Sequence, residues 1–327
     1  MAALSPNQGA DRPSALYNLR MTFLEMLGAA EQQNNSMLCV GLDPEPNKFP
    51  GKLKGDANKI YDFCAAIVDA TADLVIAYKP QIAYFAARRA EAQLERLIEH
   101  IRRVAPQVPV ILDAKRGDMG STAEQYAIEA FERYAADAVT LSPFQGLDAM
   151  APFLKYAGKG AFVLCRTSNP GGDELQNQRL ADVPGQPRLF EHVAQMAQGR
   201  WNLNGQLGLV VGATYPAEIE RVRSLAPTLP LLIPGIGAQG GDAAASVKAG
   251  WRGTAGNTTG HIVVSSSRAV LYASSSDDFA QAARREAMKT RDVLQAARAD
   301  SVVSASASAS ASASASASSV APASTRA

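Results

Sequence analysis

Long apolar runs are missing from this chain of 327 residues, and so are the clustered ligands of a metal or disulfide protein. No segment approaches the ~18 consecutive apolar residues of a membrane span, which excludes a transmembrane helix. Residues 1–13 lack the basic-then-apolar order of a secretory signal, so a cytoplasmic protein is expected. The three cysteines, Cys39, Cys64 and Cys165, form no CxxC pair, and each sits in an apolar setting. They read as core thiols and not as a disulfide framework or zinc site. The three histidines, His100, His192 and His261, are scattered along the chain, so a histidine metal cluster is not expected. Charge of one sign is also lacking, with 32 Lys and Arg against 31 Asp and Glu. A formal net charge of +1 leaves no basic footprint for nucleic acid. Any anionic ligand must therefore be held by a local site.

What is present is a core. Hydrophobic residues make up 47% of the chain. Short apolar runs at 37–42, 74–79, 108–113, 138–141, 160–165, 207–211, 230–233 and 261–264 read as strands without polar alternation, the pattern of parallel strands covered on both faces. Amphipathic stretches lie between them. Residues 87–104 place Ala90, Leu94, Leu97, Ile98 and Ile101 on one stripe. Others fall at 121–134, 187–203, 215–225, 241–249 and 277–299, and an extra helix at 16–30 precedes the first strand. Repeated strand–helix units of this number suggest a (β/α)₈ barrel, with an open doubly wound sheet as the alternative. In either fold, ligands gather at the carboxyl ends of the strands. Residues 171–186 form a polar insert after the fifth strand, a candidate lid. From Ser301 onward Ser and Ala alternate. With no large apolar residue to bury, this stretch reads as a disordered tail. The expected organisation is an extension at 1–14, a barrel at 15–300 and a tail at 301–327.

Chemistry concentrates where the apolar pattern breaks. Val110-Ile111-Leu112 runs into Asp113-Ala114-Lys115-Arg116-Gly117-Asp118. Residues two apart on a strand share a face, so Asp113 and Lys115 project together from a buried strand end. An ammonium flanked by carboxylates suits stabilising a developing carbanion and then protonating it. Lys79, before Pro80, and Asp43, in Gly41-Leu42-Asp43-Pro44, end two other apolar runs. Gly235-Ile236-Gly237-Ala238-Gln239-Gly240 follows the seventh strand. It comes too late for a dinucleotide fingerprint and reads as a phosphate cradle of the last barrel loops. Arg268, after Ser265-Ser266-Ser267, can grip a phosphate with its planar fork.

These motifs together resemble the orotidine 5'-phosphate decarboxylases, in the longer bacterial branch often called type 2. The Asp-x-Lys-x-x-Asp-x-x-x-Thr pattern is met by Asp113, Lys115, Asp118 and Thr122. Tyr78-Lys79-Pro80, Thr167-Ser168-Asn169-Pro170-Gly171, Pro234 to Gly241 and Ser267-Arg268 match in the same order, and the likeness covers roughly residues 15 to 295. It implies a TIM barrel that turns orotidine 5'-phosphate into UMP without a metal or organic cofactor, as a homodimer with shared active sites. Lys115 would protonate C6, Asp113 would lie beside the departing carboxylate, and Lys79 would hold Asp113 and contact ribose. Asp43 would bind ribose hydroxyls, and Asp118 and Thr122 would reach into the partner's site. Ser168 would bond the pyrimidine and Pro234 would line its pocket. Gln239, Arg268 and backbone N–H groups near Gly237 would hold the phosphate. Two rivals are a Mg²⁺-dependent sugar-phosphate decarboxylase of the same superfamily, which has an acid where this chain has Lys79, and a phosphate-binding barrel without turnover.

Overall fold

Eight parallel strands form the framework: β1 (Leu38–Leu42), β2 (Ala77–Pro80), β3 (Ile111–Arg116), β4 (Ala138–Leu141), β5 (Gly160–Arg166), β6 (Leu207–Val211), β7 (Leu231–Pro234) and β8 (Ile262–Ser266). The computed structural model describes residues 21–236, 241–253 and 260–317, with side chains through Val302. Hydrogen bonding runs β2-β1-β8-β7-β6-β5-β4-β3. The two end strands meet through parallel bridges Tyr78↔Val110 and Gln81↔Asp113, with the Tyr78 N–H donating to the Pro109 carbonyl at 3.1 Å. That contact closes the sheet into a (β/α)₈ barrel and removes its edges, which decides against the open sheet.

The strands read as unbroken apolar runs because both faces are covered. Leu38, Val40, Ile111, Leu112, Val139, Leu207, Leu209, Leu231, Ile233 and Val264 are fully buried. Each such side chain contributes roughly 1.5–3 kcal/mol relative to exposure. Inside the barrel Phe162 fills the space left by Gly208, where an added Cβ would lie 2.5 Å from its ring. The floor is closed by Phe23, edge-on to Phe162 with centroids 5.6 Å apart. Phe23 opens the helix Phe23–Asn34, whose start is fixed by a capping box: Glu25 accepts from the Thr22 N–H at 2.7 Å, and Thr22 accepts from the Glu25 N–H at 3.4 Å.

The outer helices follow the amphipathic stripes. Leu94, Leu97, Ile98 and Ile101 of helix Glu91–Val104 are buried as expected. The helix expected from residue 87 starts later, because Arg89 takes φ +53° and separates it from the short helix Ile82–Ala86. All three cysteines are buried and unpaired, and Trp201 and Trp251 pack in the core.

Helix Phe279–Ala317 runs on through residues 301–317. Its packed part (Ala283, Ala287, Leu294 and Ala297 are buried) supplies the costly nucleus, after which alanine extends a helix cheaply. Ser301 donates its hydroxyl to the Ala297 carbonyl at 2.8 Å. Residues 1–20, which include the expected 1–14 extension, and 318–327 lie outside the described residues.

Candidate active site

The carboxyl ends of β2, β3 and β4 converge on one carboxylate. Asp113 Oδ2 accepts from Lys79 Nζ at 2.9 Å, while Oδ1 accepts from Lys115 Nζ at 2.6 Å and from the Thr140 hydroxyl at 3.0 Å. The side chains of Lys79 and Asp113 are 6% and 10% exposed, and that of Lys115 is 47% exposed. The pair Lys79–Asp113 is thus the buried base of the group, and Lys115 is its open end. Burial alone would raise the Asp113 carboxyl, but the Lys79 and Lys115 ammonium groups outweigh it and hold the carboxyl well below the usual carboxylate range. Burial opposes charge on Lys79 too, yet Asp113 and Asp43 lift it above an ordinary lysine. Both partners therefore stay ionised near neutral pH. Beneath them the buried Cys39 thiol is pushed up to about 12 by desolvation, which keeps it neutral and inert.

These groups stand at the base of a cavity of about 460 Å³ in the barrel mouth, which Asp43, Lys79, Asp113, Lys115, Ser168, Pro234 and Arg268 all line. Three cations face two carboxylates there, a balance suited to an anionic ligand. Among the described residues Asp43 Oδ1 is buried without a hydrogen-bond partner, an acceptor left for a donor such as a sugar hydroxyl. Its loop is fixed by Tyr272, whose hydroxyl donates to the Asp43 carbonyl at 2.9 Å and accepts from the Glu45 N–H at 2.7 Å.

Glycines let the loops approach. A Cβ on Gly41 would lie 1.9 Å from the Ser267 hydroxyl, so β1 and the β8 loop touch only because that Cβ is missing. A Cβ on Gly212 would lie 2.7 Å from Ser168, so β6 supports the β5 loop from behind in the same way. Arg268 opens the short helix Arg268–Leu271 and is exposed, with no ion pair among the described residues. It is available to an anion.

Asp118 and Thr122 do not line this cavity. Asp118 is half-buried and accepts from the Met119 N–H at 2.8 Å, and Thr122 is exposed on the first turn of helix Gly120–Ile128. Gly237 and Gln239 lie outside the described residues. Sequence reasoning missed Thr140 and the apolar lining Leu164 and Val210, and gave no individual role to Asn169, Ser265 or Ile236 within the motifs it singled out. A hydroxyl inside the apolar run 138–141 was the available signal for Thr140. It also missed Arg166, fully buried at the end of β5, which pairs with Glu218 and Asp173 at 2.5 Å each. With Gln176 accepting from the Thr167 N–H at 2.8 Å, this arginine ties the insert 171–186 to the loop that carries Ser168. Among the described residues no group of three His, Cys, Asp or Glu side chains is placed to hold a metal ion.

Comparison with known proteins gives a consistent result. The model of the orotidine 5'-phosphate decarboxylase / HUMPS family matches residues 36–286. The orotidine 5'-phosphate decarboxylase of Polaromonas naphthalenivorans (strain CJ2) is 80% identical over 282 residues, covering 86% of this chain and 98% of that protein. That of Variovorax paradoxus (strain S110) is 75% identical over 278 residues, covering 85% and 100%. The solved structure of Leishmania donovani OMP decarboxylase is 38% identical with a TM-score of 0.70, covering 84% of this chain and 99% of that one.

Proposed function

This chain belongs to the orotidine 5'-phosphate decarboxylase / HUMPS family, and we infer that its reaction is the decarboxylation of orotidine 5'-phosphate to UMP and CO₂, a step of pyrimidine biosynthesis. The observation that supports this reading best is the chain Lys79–Asp113–Lys115, with its buried end at the base of the cavity and its exposed ammonium at the mouth. The bond from C6 to the carboxylate breaks, CO₂ leaves, and the electron pair stays on C6. Lys115 Nζ, held toward this point by Asp113, stabilises that charge and then gives it a proton. Solvent restores the proton to the amine after product leaves. Two unit charges ~4 Å apart attract by roughly 4 kcal/mol at an effective dielectric of ~20. One ammonium therefore supplies part of the barrier reduction, and contacts to the rest of the nucleotide supply more by fixing the substrate and excluding water.

In this reading the Asp113 carboxylate faces the departing carboxylate, Lys79 holds Asp113 and reaches the ribose, and Asp43 accepts from ribose hydroxyls. Ser168 bonds the pyrimidine and Pro234 lines its pocket. Arg268 grips the phosphate together with Gln239 and the backbone at Gly237. Asp118 and Thr122 complete the site of a second copy in a homodimer. Their position outside their own cavity supports this, as do the neighbouring Met119 and the Phe144 of the adjoining loop, 60% and 80% exposed. Among the described residues no helix is long and apolar enough to cross a membrane, which accords with a cytoplasmic enzyme.

The test is a spectrophotometric assay of orotidine 5'-phosphate with EDTA present. Undiminished turnover is expected. Turnover lost to the chelator and restored by Mg²⁺ would favour metal-dependent chemistry, and nucleotide binding without turnover would favour a non-catalytic barrel.

A further inference from the structure

Between β3 and β4 the ladder is interrupted. Leu112 pairs with Val139 and Arg116 with Leu141, so Asp113, Ala114 and Lys115 together face the single residue Thr140. A bulge of this kind leaves backbone N–H groups without ladder partners. Here the Thr140 hydroxyl takes the place of the missing carbonyl: it accepts from the Ala114 N–H at 3.0 Å and from the Lys115 N–H at 2.9 Å. Its own proton goes to Asp113 Oδ1 at 3.0 Å. Within this bulge Lys115 adopts φ +47°, a left-handed backbone that a side-chain-bearing residue enters only when its surroundings hold it there. Thr140 is itself buried.

We propose that Thr140 is a positioning residue for catalysis, whose one hydroxyl pins the left-handed bulge at Ala114–Lys115 and so sets the aim of the Lys115 ammonium and the Asp113 carboxylate together. The proposal rests on the decarboxylase reading for its kinetic test and on geometry alone for its structural one. A hydroxyl is required because it accepts twice and donates once from a single atom. Valine has the same shape but would leave two amides and a carboxylate oxygen short of a partner.

The experiment compares wild type, Thr140→Val and Thr140→Ser in steady-state decarboxylation of orotidine 5'-phosphate, with a thermal melt of each. A misplacement of about 1 Å costs on the order of 100-fold in rate. Thr140→Val is therefore expected to lower kcat by about 10- to 100-fold with KM within about threefold, since the groups that bind the nucleotide elsewhere are untouched. Thr140→Ser, which keeps the hydroxyl, is expected to recover most of kcat. A folded Thr140→Val enzyme with wild-type kcat overturns the proposal, as does an equal loss in Thr140→Ser. If Thr140→Val does not fold, Thr140→Cys, with its weakly bonding thiol, takes its place under the same criteria. Absence of turnover in wild type would count against the decarboxylase reading alone. The positioning role is then read from a crystal structure of the variant, where a retained positive φ at Lys115 with Nζ still on Asp113 Oδ1 overturns it.

Discussion

Removing the Lys79 ammonium tests how the buried end of the site is held. Lys79 and Asp113 lie 2.9 Å apart with side chains 6% and 10% exposed. Lys79→Ala leaves a buried carboxylate with one oxygen unpaired, and breaking a buried pair in this way costs roughly 3–5 kcal/mol. Lys115 and Thr140 remain on the other oxygen, so the low end of that range applies. At an unfolding entropy of roughly 0.6 kcal/mol/K for a barrel of this size, about 3 kcal/mol lowers Tm by about 5 °C. The pH dependence follows from the two shifts. The depressed Asp113 carboxyl contributes its stability fully above the ordinary carboxylate range and loses it as pH falls through the lowered folded value. The raised Lys79 contributes fully below the ordinary lysine value and loses it as pH rises through the higher folded value. The wild-type advantage over Lys79→Ala is therefore flat from roughly pH 5 to pH 10 and shrinks outside that window. The double variant Lys79→Met/Asp113→Leu removes both charges and is expected to regain at least half of the lost stability while staying inactive. Thermal melts across pH, beside the decarboxylation assay, read all of this. A Tm within about 1 °C of wild type for the single variant, or a double variant less stable than the single, would show that the buried pair is not held in this way.

Two further changes separate binding from architecture. Arg268→Ala removes a charge-assisted grip worth roughly 1.5–3 kcal/mol, so KM should rise by about 10- to 100-fold with kcat much less affected. An unchanged KM counts against the phosphate role. Gly41→Ala forces a methyl onto the Ser267 hydroxyl, 1.9 Å from where its Cβ would sit. It should cost about 1–3 kcal/mol in a denaturant titration and raise KM through the displaced Arg268 loop, and wild-type values for both would show that the two loops part freely.

Much of this architecture is legible in the chain itself. The runs at 138–141 and 207–211 are strands to the residue, because both ends are marked by a change to polar or glycine residues. The run at 108–113 is instead a strand from Ile111 to Arg116. The expected run stops at Asp113, but the bulge opposite Thr140 keeps the charged residues beyond it paired with β4. Asp113 and Lys115 stand out because charge is costly at the end of an apolar strand. Thr140 and Arg166 are less visible, since each works through contacts distant in sequence, and a single hydroxyl or guanidinium in an apolar setting does not announce its partners.

In the proposed reaction the Lys115 ammonium stabilises and protonates C6. Its test is single-turnover decarboxylation by Lys115→Ala, with UMP affinity measured on the same preparation. The rate is expected to fall at least about 1,000-fold while UMP binding stays within about tenfold of wild type. A Lys115→Ala enzyme that turned over at a rate near wild type would contradict the claim.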